Sequence, residues 1–103
     1  MHLLVSVYHK LAQQTIIIFS EQYEKIERRF LRRHPDLLDR YAKTLAMLEH
    51  DPFHPSLRLH PLQGRLTGLH SVSINLHYWV TLELELREQD IILVSVGSHG
   101  EVY

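Results

Sequence analysis

Tyr78-Trp-Val-Thr-Leu-Glu-Leu-Glu-Leu-Arg87 is the stretch that decides the fold. It sends Tyr78, Val80, Leu82, Leu84 and Leu86 one way and Trp79, Thr81, Glu83, Glu85 and Arg87 the other, the period-two pattern of a half-buried strand. The second row is polar apart from Trp79, and an indole on a wet strand face calls for a contact that explains it. Upstream, Leu69 to Asn75 alternates Val72 and Ile74 with Ser71 and Ser73, and Leu76-His77 turns the chain into the Tyr78 strand. Downstream, Arg87-Glu88-Gln89 supplies another turn. Ile91 to Val96 is then apolar on both parities, which predicts a strand covered on two sides. Together these runs predict a three-stranded antiparallel meander.

Before the meander the period changes. Thr15-Ile-Ile-Ile-Phe19 is a β-branched run that predicts a short strand. Ser20 then stands where a helix cap belongs, with Glu21 and Glu24 in the first turn and Arg28, Arg29, Arg32 and Arg33 toward the end, the charge order a helix dipole favours. Tyr23, Ile26 and Phe30 form its inner stripe. Pro35 suits the first turn of a second helix, whose stripe is Leu38, Tyr41, Leu45 and Leu48. Pro52, Pro55 and Pro61 keep the next segment extended. The expected architecture is α/β of the α+β kind: a strand, an α-helical hairpin, then the meander. Residues 1–14 are weakly patterned, with Leu3 to Tyr8 readable as an added strand or a leader. They are set aside as an N-terminal extension to a domain spanning residues 15–103.

Composition narrows the function classes. A chain of 103 residues holds one core, and 45% hydrophobic residues exclude a disordered chain. There is no cysteine, so disulfides and thiolate chemistry are excluded. The opening Met-His-Leu-Leu-Val-Ser-Val-Tyr-His-Lys is too short and too polar for a signal peptide or a membrane span, which makes a cytoplasmic protein without membrane contact the expectation. Eleven basic against twelve acidic residues leave no global positive field, so any RNA contact has to be local.

Asp51-Pro-Phe-His-Pro-Ser-Leu-Arg58, His60-Pro-Leu-Gln-Gly-Arg-Leu-Thr-Gly68, Ser73-Ile-Asn75 and Gly97-Ser-His-Gly-Glu-Val-Tyr103, in this order, resemble the RelE/ParE superfamily of toxins from type II toxin–antitoxin systems, and its RelE/YafQ branch in particular. The resemblance covers residues 15–103 and is most specific in the second half. It implies a compact toxin that cleaves mRNA in the ribosomal decoding site, without metal or other cofactor, and that a cognate antitoxin silences. By the same resemblance His60 matches a histidine of the YafQ site, His99 a catalytic histidine near the terminus, Arg65 a position commonly basic, and Tyr103 an aromatic position. Two departures stand out: Trp79 occupies the place where the family usually has a phosphate-holding arginine, and Gly100 replaces an aspartate. The lack of a basic balance is a third.

Metal-free RNA cleavage needs a base for the 2′-hydroxyl, an acid for the departing 5′-oxygen, and positive charge on the crowded phosphate. Imidazole suits both proton roles, so His99 and His60 are the catalytic candidates, with Arg65 on the phosphate. Trp79, His77, Tyr78, Tyr103 and Arg58 are candidates for binding RNA. Trp79 would stack on a base; packing beneath the N-terminal segment or in a partner interface explains it equally well. His77 matches an acidic family position, which favours a structural role. The remaining histidines read as ordinary, and a zinc site on His50 and His54 is not expected because Pro52 interrupts the helix that their spacing would need. The exchange of arginine for Trp79 keeps open a weakened toxin that binds without efficient cleavage. A ParE-like gyrase inhibitor is a further alternative.

Overall fold

Ser20 starts the first helix as its sequence position predicts: its hydroxyl accepts from the Tyr23 amide at 3.1 Å, satisfying one of the amides that a helix start leaves unpaired. The computed structural model describes residues 15–85 and 90–102. The readings of residues 1–14, of the Arg87-Glu88-Gln89 turn and of Tyr103 lie outside them. Strand β1 (Ile16–Ile18) leads into α1 (Glu21–Arg33), and a 3₁₀ turn over Pro35–Leu37 leads into α2 (Leu38–His50). After a second 3₁₀ turn at Pro55–Leu57 come β2 (His60–Pro61), β3 (His70–Ser73), β4 (Tyr78–Glu85), β5 (Asp90–Ser98) and the short α3 (His99–Val102).

The strands form one five-stranded sheet in the order β1-β5-β4-β3-β2. β3, β4 and β5 make the expected antiparallel meander. β1 runs parallel to β5 on the far edge, a placement made possible by the helical hairpin that carries the chain across the sheet. The two-residue β2 adds the opposite edge, with His60 paired to Ser71.

One face of the sheet is closed by the helices. Val72, Val80, Leu82, Ile91, Leu93 and Val96 meet Tyr23, Phe30, Tyr41 and Leu48 in a single core. Between the helices the Tyr23 and Tyr41 hydroxyls lie 2.7 Å apart, and the Tyr41 hydroxyl donates to the Glu27 carboxylate. Burial pushes both phenols above their ordinary range, and the Glu27 charge adds to the effect.

Two expectations are corrected. Leu38, assigned to the inner stripe of the second helix, is 51% exposed, whereas Thr44 is buried. The three 3₁₀ residues before α2 advance by a wider angle per residue than an α-helix, so Leu37 reaches the core and Leu38 passes it by. The solid apolar run of β5 is also not covered on two sides, since Val94 is 37% exposed. The ladder runs from Thr81–Ser95 to Leu82–Leu93, leaving Val94 as the extra residue of a β-bulge. No helix among the described residues is long and apolar enough to cross a membrane.

Candidate active site

The face of the sheet opposite the helices carries a row of small hydroxyl residues in register: His60 of β2 pairs with Ser71, Ser71 with Thr81, and Thr81 with Ser95. One step along, Ser73 pairs with Trp79 and Trp79 with Gly97. Gly97 has no side chain, so nothing projects from β5 directly beside the indole. The outward row is less wet than its polarity suggests, because Ser71 and Thr81 are buried.

Over this face lies the loop between β2 and β3. Its ends are tied by the Leu62 amide donating to the Leu69 carbonyl at 2.9 Å. Inside it, Gly64 and Gly68 adopt φ values of 67° and 101°, left-handed conformations that glycine enters without steric cost. Between them the Gly64–Leu66 3₁₀ turn is closed by Thr67, whose hydroxyl donates to the Gly64 carbonyl at 2.7 Å. This fold of the loop brings Leu62, Gln63, Arg65 and Leu66 beside His60, Trp79 and His99, and the seven residues line a cleft of about 450 Å³. Four candidates from distant parts of the sequence, His60, Arg65, Trp79 and His99, therefore share one cleft.

His60 is held in a defined way. Its Nδ1 lies 2.8 Å from the Arg58 carbonyl. A carbonyl oxygen only accepts, so Nδ1 carries the proton, and the neutral ring keeps its lone pair on Nε2. The Arg58 backbone that presents this carbonyl is left-handed, at φ 51° and ψ 43°, a conformation costing a non-glycine residue about 1–2 kcal/mol. His54 shows the opposite arrangement: its Nδ1 accepts from the Ser56 amide at 3.1 Å and caps the Pro55–Leu57 turn, a local structural role.

The other candidates lie elsewhere. Tyr78 follows the opposite parity from Trp79 and turns to the helices, its ring centroid 5.6 Å from that of Phe30 and 4.6 Å from that of His34. Arg58 and His77 line a second cleft, of about 700 Å³, together with Arg40, Ser56, Ser73 and Asn75. Neither Glu83 nor Glu85 lines either cleft, and Arg28, Arg29, Arg32 and Arg33 sit exposed on α1. Sequence reasoning missed Gln63, Leu62 and Leu66 as cleft walls and Arg40 as part of the second cleft. The Gly64 and Gly68 pair was the available sign of the loop that carries the walls. Arg40, on an exposed helix position, left none.

No family model matches the sequence, and no curated protein does. Solved structures match it closely in shape. YafQ from E. coli strain BL21(DE3) superposes with a TM-score of 0.72 at 18% identity, covering 87% of this chain and 99% of that one. YafQ in the E. coli DinJ–YafQ toxin–antitoxin complex gives 0.71 at 21%, with 87% and 98% covered. The RelBE2 toxin–antitoxin complex from Mycobacterium tuberculosis gives 0.62 at 14%, with 84% and 99% covered. The helical hairpin and the five-stranded sheet are thus arranged as in these proteins, and the chain has the α+β fold of the RelE/YafQ-like toxins.

Proposed function

We propose that this chain is the toxin of a toxin–antitoxin pair and that it cleaves mRNA on the ribosome, in the cytoplasm, without metal or cofactor. One observation carries the reading: two imidazoles, one guanidinium and one indole from separate segments line a single cleft, and the tautomer of one imidazole is set by a backbone carbonyl. His60 acts as base. Its Nε2 takes the proton of a ribose 2′-hydroxyl, and the 2′-oxygen bonds to the adjacent phosphorus. The phosphorus–O5′ bond then breaks as protonated His99 delivers a proton to O5′, leaving a 2′,3′-cyclic phosphate and a 5′-hydroxyl. Arg65 bears on the negative charge of the five-coordinate phosphate, and Trp79 stacks on a neighbouring base. A cognate antitoxin binds and silences the protein; the solved DinJ–YafQ and RelBE2 toxin–antitoxin complexes support such a partner.

The experiment is cut-site mapping on translated mRNA in a purified translation system, with wild type, His60→Ala and His99→Ala, alongside growth on induction. Proton transfer by a placed side chain commonly contributes about 10²–10⁴-fold in rate, so each variant should lose at least two orders of magnitude of cutting and should no longer arrest growth. Cutting that survives both substitutions would refute the assignment. A second reading, a toxin-fold protein that binds without efficient cleavage, is favoured by the indole of Trp79 lining the cleft where Arg65 is the one arginine among the described residues. It predicts antitoxin binding with no ribosome-dependent cuts in the wild type. DNA-damage signalling on induction would point instead to the gyrase-directed alternative.

A further inference from the structure

The second cleft has a chemistry of its own. Arg40, Arg58 and His77 line it, and among the described residues no carboxylate does. Arg40 is positioned rather than loose: its Nε donates to the Ile74 carbonyl at 3.0 Å, which ties the guanidinium to the end of the sheet and uses one of its five N–H groups. Asn75 spends its Oδ1 on the His77 and Tyr78 amides, at 2.8 and 3.0 Å, so the remaining polar atom of its carboxamide is a donor. Cations and donors without an acid describe a site for an anion.

The two clefts are neighbours. Ser73, in the wall of the second, pairs across the ladder with Trp79, in the wall of the first. Arg58 links them: its carbonyl accepts from His60 of the first cleft and the residue lines the second, from a left-handed backbone that is maintained against its steric cost. Ser73 thus stands between the indole of the first cleft and the cations of the second.

We propose that the Arg40–Arg58–His77 cleft is a phosphodiester subsite that holds the RNA strand beyond the scissile nucleotide. The inference rests on the RNA-cleaving reading of the first cleft and adds a second point of attachment to it. It separates short ligands, which reach only the first cleft, from longer ones that reach both.

The test uses uncleavable 2′-O-methyl oligoribonucleotides, a dinucleotide and a hexanucleotide, titrated into the ¹⁵N-labelled protein at several salt concentrations and followed by amide shifts. For the hexanucleotide, Arg40→Gln should flatten the dependence of log affinity on log salt by about 0.7, the share of one single-strand phosphate contact. It should leave dinucleotide binding unchanged, and Arg40→Lys should retain the wild-type slope. Arg65→Gln, in the first cleft, should weaken both ligands. An unchanged hexanucleotide slope in Arg40→Gln while Arg65→Gln weakens both would overturn the subsite and leave the cleavage reading standing. Failure of the wild type to bind either oligonucleotide would overturn both. Loss of affinity in Arg40→Gln for a hexaglutamate peptide, with RNA binding intact, would assign the cleft to an acidic protein partner and overturn the proposal.

Discussion

Replacing Tyr41 by phenylalanine should cost far more than the same change at Tyr23, although the two hydroxyls bond to each other. Both residues are buried, Tyr23 at 0% and Tyr41 at 3% exposure. The Tyr41 hydroxyl donates to Glu27 and lies 2.7 Å from that of Tyr23, so with its proton committed to the carboxylate it accepts from Tyr23. Tyr23→Phe removes one neutral hydrogen bond and leaves Tyr41 satisfied, a loss of about 1 kcal/mol. Tyr41→Phe removes a charge-assisted bond worth about 1.5–3 kcal/mol and strands the Tyr23 hydroxyl in the core at a further cost of about 1–3 kcal/mol. Glu27 is half-buried and recovers part of its loss from water, so the sum is about 3 kcal/mol. The double variant has no stranded hydroxyl and should be more stable than Tyr41→Phe alone. Urea denaturation with unchanged m-values would measure all three. Equal losses in the two single variants, or a double variant equal to the sum of both, would refute the direction of the network.

The same pair sets an alkaline limit. Burial raises both phenols above their ordinary value of 10.0, so the folded state holds these protons more tightly than the unfolded chain. Stability from this source is intact below pH 10 and falls as pH rises past it, by up to about 1.4 kcal/mol per pH unit for each tyrosine. Urea midpoints at pH 9, 10 and 11 should therefore fall more steeply in the wild type than in the Tyr23→Phe/Tyr41→Phe variant. Trp79→Arg places a second guanidinium in the first cleft and should raise cutting by about 10²–10³-fold, the usual value of such an electrostatic clamp; initial rates in the translation system read it directly. Arg58→Gly relieves a left-handed backbone, and after the greater unfolded-state freedom of glycine is subtracted it should stabilise the fold by about 0.5–1 kcal/mol, seen as a higher melting temperature.

Regular periodicity was legible wherever one face of an element is buried and the other is not. The Tyr78 strand, the Ser20 cap and the Tyr23, Phe30, Tyr41, Leu48 stripe all appear where the pattern put them. What failed was local change of phase. Leu38 carried the right spacing but stands just after a 3₁₀ turn, which the spacing does not show. β2 is two residues long with a proline in it and has no pattern of its own; it exists because His60 and Pro61 find partners in β3. The parallel pairing of β1 with β5 joins segments more than seventy residues apart, which no local signal reports. The site followed the same division. The turn residues around His60, Arg65 and His99 marked them as loop or strand-end positions, whereas the link that Arg58 makes between His60 and the second cleft depends on one left-handed residue whose identity gives no hint of it.

The position of His99 is the sharpest case, because alternation read straight along β5 points it the wrong way. Ile91 and Leu93 face the helices, and a regular strand would send residues 95, 97 and 99 after them, toward the side where Phe30 and His34 pack on Tyr78. The bulge at Val94 breaks that sequence. Beyond it Val96 takes the core face, Ser95 and Gly97 fall on the outer row opposite Thr81 and Trp79, and His99 reaches the cleft with Trp79 and His60. From Leu93 to Val96 the doubled apolar parity was therefore the trace of a phase shift. The shift also accounts for the exposure of Val94, which belongs to neither row. An extra residue in the strand changes the strand's hand to the site, so the second imidazole of the proposed acid–base pair is where it is because of a residue five positions earlier that never touches the cleft.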